Sequence, residues 1–201
     1  MNAIKGFAAA LLLGASAMAQ AAPDLSRVKL VLGDQARNLR SLVEASGVLK
    51  DAPYHYRWVN LQGAAPLFEA QRAGAVDTSY AGDLPVLMAA SGGVPLKIIG
   101  TNVGDAASNG LVVPVDSPVR SVKDLAGKEV VVSSARGSIS QHLLYEAQEE
   151  AKVPRDSLPM RFVMPTDASA AFKAGQIGAW ATFDPYLGIA EQHGARLGAE
   201  P

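Results

Sequence analysis

The sequence predicts an α/β protein, its strands mostly parallel and its helices crossing between them. Two observations carry this. From Val28 onward, short aliphatic or β-branched runs alternate with amphipathic stretches of helical period. With 49% hydrophobic and 18% charged residues over a length of 201, the chain holds enough apolar material for one or two cores.

Residues 28–32 form the first apolar run. Gly33-Asp34-Gln35 reads as the loop after it, and Leu39, Leu42 and Val43 then repeat at helical spacing until Ser46-Gly47 stops the helix. Residues 54–61 predict a second strand, and 63–74 a helix with Pro66 near its first turn. Residues 76–80 predict a third strand, after which Gly82-Asp83 opens a helix carrying Leu84, Val86, Leu87 and Met88. A fourth strand is expected over 94–100. The polar loop 105–109 then leads to a fifth over 111–115.

Pro114 and Pro118 bracket a change, after which a second series begins, so residues 22–110 are expected to form a first lobe and 111–201 a second. Residues 121–125 read as a short capped helix and 129–133 as a strand. The helix from Gly137-Ser138 is expected to turn Ile139, Leu143 and Ala147 toward the sheet. Residues 160–164 and 179–182 predict further strands. Asp167 is placed to cap the helix between them, and Asp184-Pro185 to open the last one.

Composition excludes several functions. Nineteen acidic against 18 basic residues, with no long basic run, leave no electrostatic footprint for nucleic acid. The absence of cysteine removes disulfides, thiolate metal sites, lipid-attached cysteine and a cysteine nucleophile. His55, His142 and His193 are too far apart in sequence for a local ligand pair, so no metal and no cofactor is expected. Residues 1–21 have the pattern of a signal peptide: Lys5, an apolar stretch too short to span a bilayer, and small residues at Ala17, Ala19 and Ala21. The expected location is the periplasm.

An ordered series of motifs then carries a family resemblance. It runs through Gly33-Asp34-Gln35, Glu69-Ala70 to Gly74 and Asp77, Ala81-Gly82-Asp83-Leu84-Pro85, and Leu125-Ala126-Gly127-Lys128. It continues through Gly137-Ser138, Asp167-Ala168, Ala171-Phe172, Gly175, Ala179-Trp180-Ala181 and Phe183-Asp184-Pro185-Tyr186. Over residues 28–197 the chain resembles the solute-binding proteins of bacterial ABC importers for nitrate, taurine and alkanesulfonates, most of all the aliphatic-sulfonate branch. The resemblance implies two lobes, each a mainly parallel sheet flanked by helices, closing on a small anion delivered to an inner-membrane permease. It also implies a monomer when complete. Gly178 and Phe183 depart from the family's usual Asp and Trp. The family also continues beyond this length and crosses back to complete its first lobe. An incomplete first lobe is therefore expected here, with apolar side chains of residues 84–90 and 94–99 exposed.

A buried sulfonate needs several preorganised donors, and helix N-termini at strand ends supply them. The residues expected to bind are Gln35, Gly82, Asp83, Ser108, Gly137 and Ser138, with the hydroxyl of Ser140 as a further donor and Trp180 and Phe183 walling an apolar tail. Duller roles fit the same residues. Ser138 and Asp83 also read as helix caps, Trp180 and Phe183 as core, and Arg37 and Arg136 as exposed loop cations or partners of the anion. The competing functions are an enzyme on the same fold, with His142 four residues from Ser138, and a receptor for nitrate, taurine or a pyrimidine precursor.

Overall fold

The computed structural model describes residues 23–104 and 106–197, so the signal-peptide expectation and Asp105 of the polar loop lie outside the described residues. In the first lobe, strand β1 (Lys29–Gln35) pairs in parallel with β2 (His55–Leu61), from Lys29 opposite His55 to Gln35 opposite Leu61. Gly33-Asp34-Gln35, expected as loop, is therefore ladder. The turn comes afterwards, at Ala36 and Arg37, both in the left-handed region, with the Arg37 amide donating to Asn60 Oδ1 at 2.8 Å.

Helix α1 (Asn38–Ser46) ends at Gly47, whose left-handed φ of 67° lets its amide close on Val43 O. Helix α2 (Ala64–Arg72) packs Leu67 and Phe68 inward, and α3 (Asp83–Ser91) follows Gly82. The third strand is reduced to a single bridge between Leu32 and Thr78, and the fourth does not form. A strand exists only where a neighbour takes up its amides and carbonyls. Residues 95–104 are extended without a hydrogen-bonded backbone neighbour among the described residues. Leu87, Ile98, Ile99 and Val103 are correspondingly exposed.

The second lobe is a five-stranded sheet in the order β5-β4-β6-β3-β7. Its strands are β3 (Asn109–Pro114), β4 (Val130–Val132), β5 (Met160–Phe162), β6 (Trp180–Phe183) and β7 (Ala195–Leu197). Three of them, β5, β4 and β6, run parallel, whereas β3 runs antiparallel to β6 and to β7, so the sheet is mixed. The chain enters β3 from the first lobe without a crossover helix, and only a crossover obliges the next strand to run parallel.

Alternate residues feed opposite faces of this sheet. Leu111, Val113, Val130, Val132 and Ala181 pack with Leu144 of α4 (Ile139–Glu150), whereas Val112, Val131 and Trp180 pack with Phe172 of α5 (Pro165–Lys173) and Leu187 of α6 (Tyr186–Gln192). Helix α4 is turned one position from expectation. Ser140, Leu144 and Gln148 are the buried positions in place of Ile139 and Leu143, with Ala147 still packed against the core at its edge, because Leu144 fills the core and Gln148 reaches Pro154 O through Nε2 at 2.8 Å. Asp167 lies in the first turn of α5 without capping it; Pro165 opens that helix instead. Among the described residues no helix is long and apolar enough to cross a membrane.

Candidate ligand-binding cleft

Strand ends from both lobes meet at one cavity of about 410 Å³. The first lobe contributes Gln35 and Asn38 from the β1–α1 turn, Tyr80, Gly82 and Asp83 before α3, and Asn102. The second contributes Ser108 and Asn109 entering β3, Ser134 and Ser138 between β4 and α4, and Phe183 and Asp184 leaving β6. Gln35, Gly82 and Ser138 thus line one space although far apart in sequence, as expected of residues that follow strands at one sheet edge.

Several of the expected donors are already engaged. Gln35 Nε2 donates to Tyr80 O at 2.8 Å. The Ser138 hydroxyl donates to Ser133 O at 2.7 Å and accepts from the Gln141 amide at 3.3 Å, while Gln141 Oε1 takes the Gly137 amide at 2.7 Å. Ser138 therefore caps α4, and the residues that cap it are drawn from the helix itself.

The start of α1 is not open to a ligand either. Asp34, only 1% exposed, receives the amides of Gln35 at 2.8 Å and of Leu39 and Arg40 at 3.1 Å, so its carboxylate already occupies the place an anion would take. The amides of Ile139 and Ser140 at the start of α4, and of Ala64 and Ala65 at the start of α2, have no acceptor among the described residues.

Other expected residues lie elsewhere. Trp180 is fully buried, stacked at 5.6 Å on Phe172, and donates from Nε1 to Ser133 Oγ at 2.9 Å, so it belongs to the core of the sheet and not to the cleft wall. Ser140 is also buried beneath α4, away from the cleft lining, because the helix is turned as described above. Gly137 lines an adjoining cavity of about 180 Å³. Arg136 lines that cavity too, its guanidinium 5.1 Å above the Phe162 ring, whereas Arg37 pairs with Glu44 at 3.8 Å outside the cleft.

Among the described residues, the charged side chains lining the cleft are Asp83 and Asp184. Each is tied to a helix start, Asp83 Oδ1 by the Leu84 amide at 2.7 Å and Asp184 Oδ1 by the Gly188 amide at 3.1 Å. The remaining polar lining among the described residues is neutral. Sequence reasoning missed Asn38, Tyr80, Asn102, Asn109, Ser134 and Asp184 as cleft residues. For Ser134 a signal existed: it follows a buried all-valine strand, the position that selected the other candidates.

Residues 61–196 match the family described as NMT1/THI5 like. Over 192 residues the chain is 31% identical to the "Putative aliphatic sulfonates-binding protein" of Escherichia coli (strain K12), covering 94% of this chain and 59% of that protein. The protein of the same name from Bacillus subtilis (strain 168) is 32% identical over 142 residues, covering 70% of this chain and 42% of the relative. Among solved structures, the alkanesulfonate-binding protein SsuA from Xanthomonas axonopodis pv. citri, bound to MOPS, superposes with a TM-score of 0.77 at 29% identity, covering 87% of this chain and 61% of that one. The periplasmic aliphatic sulphonate binding protein SsuA from Escherichia coli gives 0.69 at 28% identity, with 88% and 56% covered. The chain thus spans roughly two-fifths to three-fifths of the length of these relatives.

Proposed function

The chain belongs to the NMT1/THI5-like family, and on that premise we propose that it is the substrate-binding component of an ABC importer, holding an aliphatic sulfonate between its two lobes. The observation that carries the reading is the cleft of about 410 Å³ to which both lobes contribute neutral donors from strand ends and helix starts. A sulfonate stays ionised at any ordinary pH, and such donors stabilise it without requiring a countercharge. The names of the relatives agree with that chemistry. In this reading the protein works in the periplasm as a monomer and hands its ligand to an inner-membrane permease.

The reading is that of a receptor and not of a catalyst. The Ser138 proton points to Ser133 O, and His142 Nδ1 lies 3.8 Å from Glu146 Oε1 on an exposed helix face, so serine and histidine do not form a nucleophile–base pair. The test is a thermal-shift and calorimetric panel of ethanesulfonate, longer alkanesulfonates, taurine, sulfate and nitrate. A ligand present at 100 times its Kd adds about 2.7 kcal/mol of stability. Stabilisation by the sulfonates is the expected result, and stabilisation by nitrate alone would move the ligand to another class.

A further inference from the structure

The cleft and the adjoining cavity meet at a waist whose walls, Ala64 and Pro85 from the first lobe and Ser134 and Ser138 from the second, line both. Of its two hydroxyls, Ser138's is committed to the fold, as shown above. Ser134 differs. It is more than nine-tenths buried, at 8% exposure, and its hydroxyl has no hydrogen-bond partner among the described residues. Ser134 lines both cavities, so a ligand oxygen seated at the waist can complete the bond of its hydroxyl.

Its surroundings show what that is. Gly63, the N-cap of α2 with φ of 118°, lies directly against it, and a Cβ built on Gly63 would stand 2.6 Å from Ser134 Oγ. The missing side chain brings the start of α2 up to the hydroxyl. There the amides of Ala64 and Ala65 are free, Pro66 has none to offer, and Leu67 closes back on Gly63 O. Asp83 and Asp184 line the cleft but not the adjoining cavity, whose charged lining residues are Arg136 and the pair Glu69–Arg72, 3.6 Å apart. An anion seated at the waist is thus displaced toward the positive end of α2 and toward Arg136.

We propose that Ser134 is the hydroxyl that holds the ligand's anionic headgroup, donating to one oxygen while the first amides of α2 receive another, and that Gly63 is the positioning residue that makes this approach possible. The proposal rests on the receptor reading above and assigns its headgroup seat. It gives the two serines opposite signatures. Ser134→Ala removes a cavity-lining hydroxyl and leaves the stability of the ligand-free protein about unchanged, whereas Ser138→Ala removes a cap and lowers it.

Calorimetry with ethanesulfonate, MOPS and inorganic sulfate, together with urea denaturation of the ligand-free proteins, tests it. Affinity for the sulfonates is expected to fall about ten- to hundredfold in Ser134→Ala, the loss of one hydrogen bond to a charged group. Equal affinity in wild type and Ser134→Ala would overturn the seat while leaving the receptor reading intact. A Ser134→Ala protein that loses stability without ligand would assign the hydroxyl to the fold and overturn it as well. If wild type binds sulfate but no sulfonate, and Ser134→Ala abolishes that binding, the seat stands and the sulfonate reading falls. If wild type binds none of the three, both are wrong.

Discussion

Replacing Asp34 by Ala tests how the first lobe holds its first helix. The carboxylate accepts three backbone amides, from Gln35, Leu39 and Arg40, and α1 contributes no buried residue of its own. The helix is therefore anchored more by this cap than by packing. Loss of an ordinary N-cap costs about 1 to 2 kcal/mol, and each hydrogen bond to a charged group is worth about 1.5 to 3 kcal/mol. The three bonds do not add in full, because Leu39 and Arg40 are only partly buried and water replaces the carboxylate at their amides. We expect a loss of about 2 to 3 kcal/mol in urea denaturation. In hydrogen exchange, amide protection over residues 38–46 should collapse before that of β4 and β6, since the second lobe keeps its own core. Asp34→Asn should lose most of the same energy, because its amide nitrogen turns a donor toward one of the backbone donors. A loss below about 0.5 kcal/mol, with α1 protection unchanged, would show that packing and not the carboxylate holds the helix.

Gly33→Ala places a Cβ 2.5 Å from Leu67 Cδ1 and 2.7 Å from Thr78 O; since the second of these is backbone, the chain must move, and a fall in stability of about 1 to 3 kcal/mol is expected by thermal or urea denaturation. The carboxyl of Asp124 is held below the usual range, first by the Arg120 amide and then by the hydroxyl and amide of Ser121. Its contribution is complete above the unfolded carboxylate pKa and is lost as pH falls through the lower folded value, so the Tm advantage of wild type over Asp124→Asn should shrink and vanish on acidification through that window. Ile98→Ser with Ile99→Ser should reduce the binding of an apolar dye such as ANS without lowering stability, because both side chains are exposed; an unchanged dye signal would place the binding surface elsewhere. Trp180→Phe should cost about 1 kcal/mol or more through the lost bond to Ser133 Oγ while leaving sulfonate affinity unaltered, which a combined denaturation and calorimetry experiment reads directly.

Local chemistry alone determined much of this molecule. The helices α1, α2, α3 and α4 begin and end close to where Gly47, Gly63, Gly82 and Ser138 place them, because caps and left-handed glycines act within a few residues of chain. The buried valines of β3 and β4 were legible as strands for the same reason. The gathering of Gln35, Gly82 and Ser138 at one cleft also followed from sequence, since Gln35 ends its strand and Gly82 and Ser138 open helices.

Tertiary structure decided whatever depends on a partner distant in the chain. Residues 76–80 and 94–100 have strand composition, yet one is reduced to a bridge and the other pairs with nothing among the described residues, because a strand is a property of two segments. The direction of β3 was set by its entry from the other lobe, and the rotation of α4 by which residue fits the core. The same holds at the cleft. Ser138 and Ser134 are the same residue type four positions apart, and only the placement of Ser133 O and of Gly63 separates a hydroxyl spent on a helix cap from one left free beside the first amides of α2.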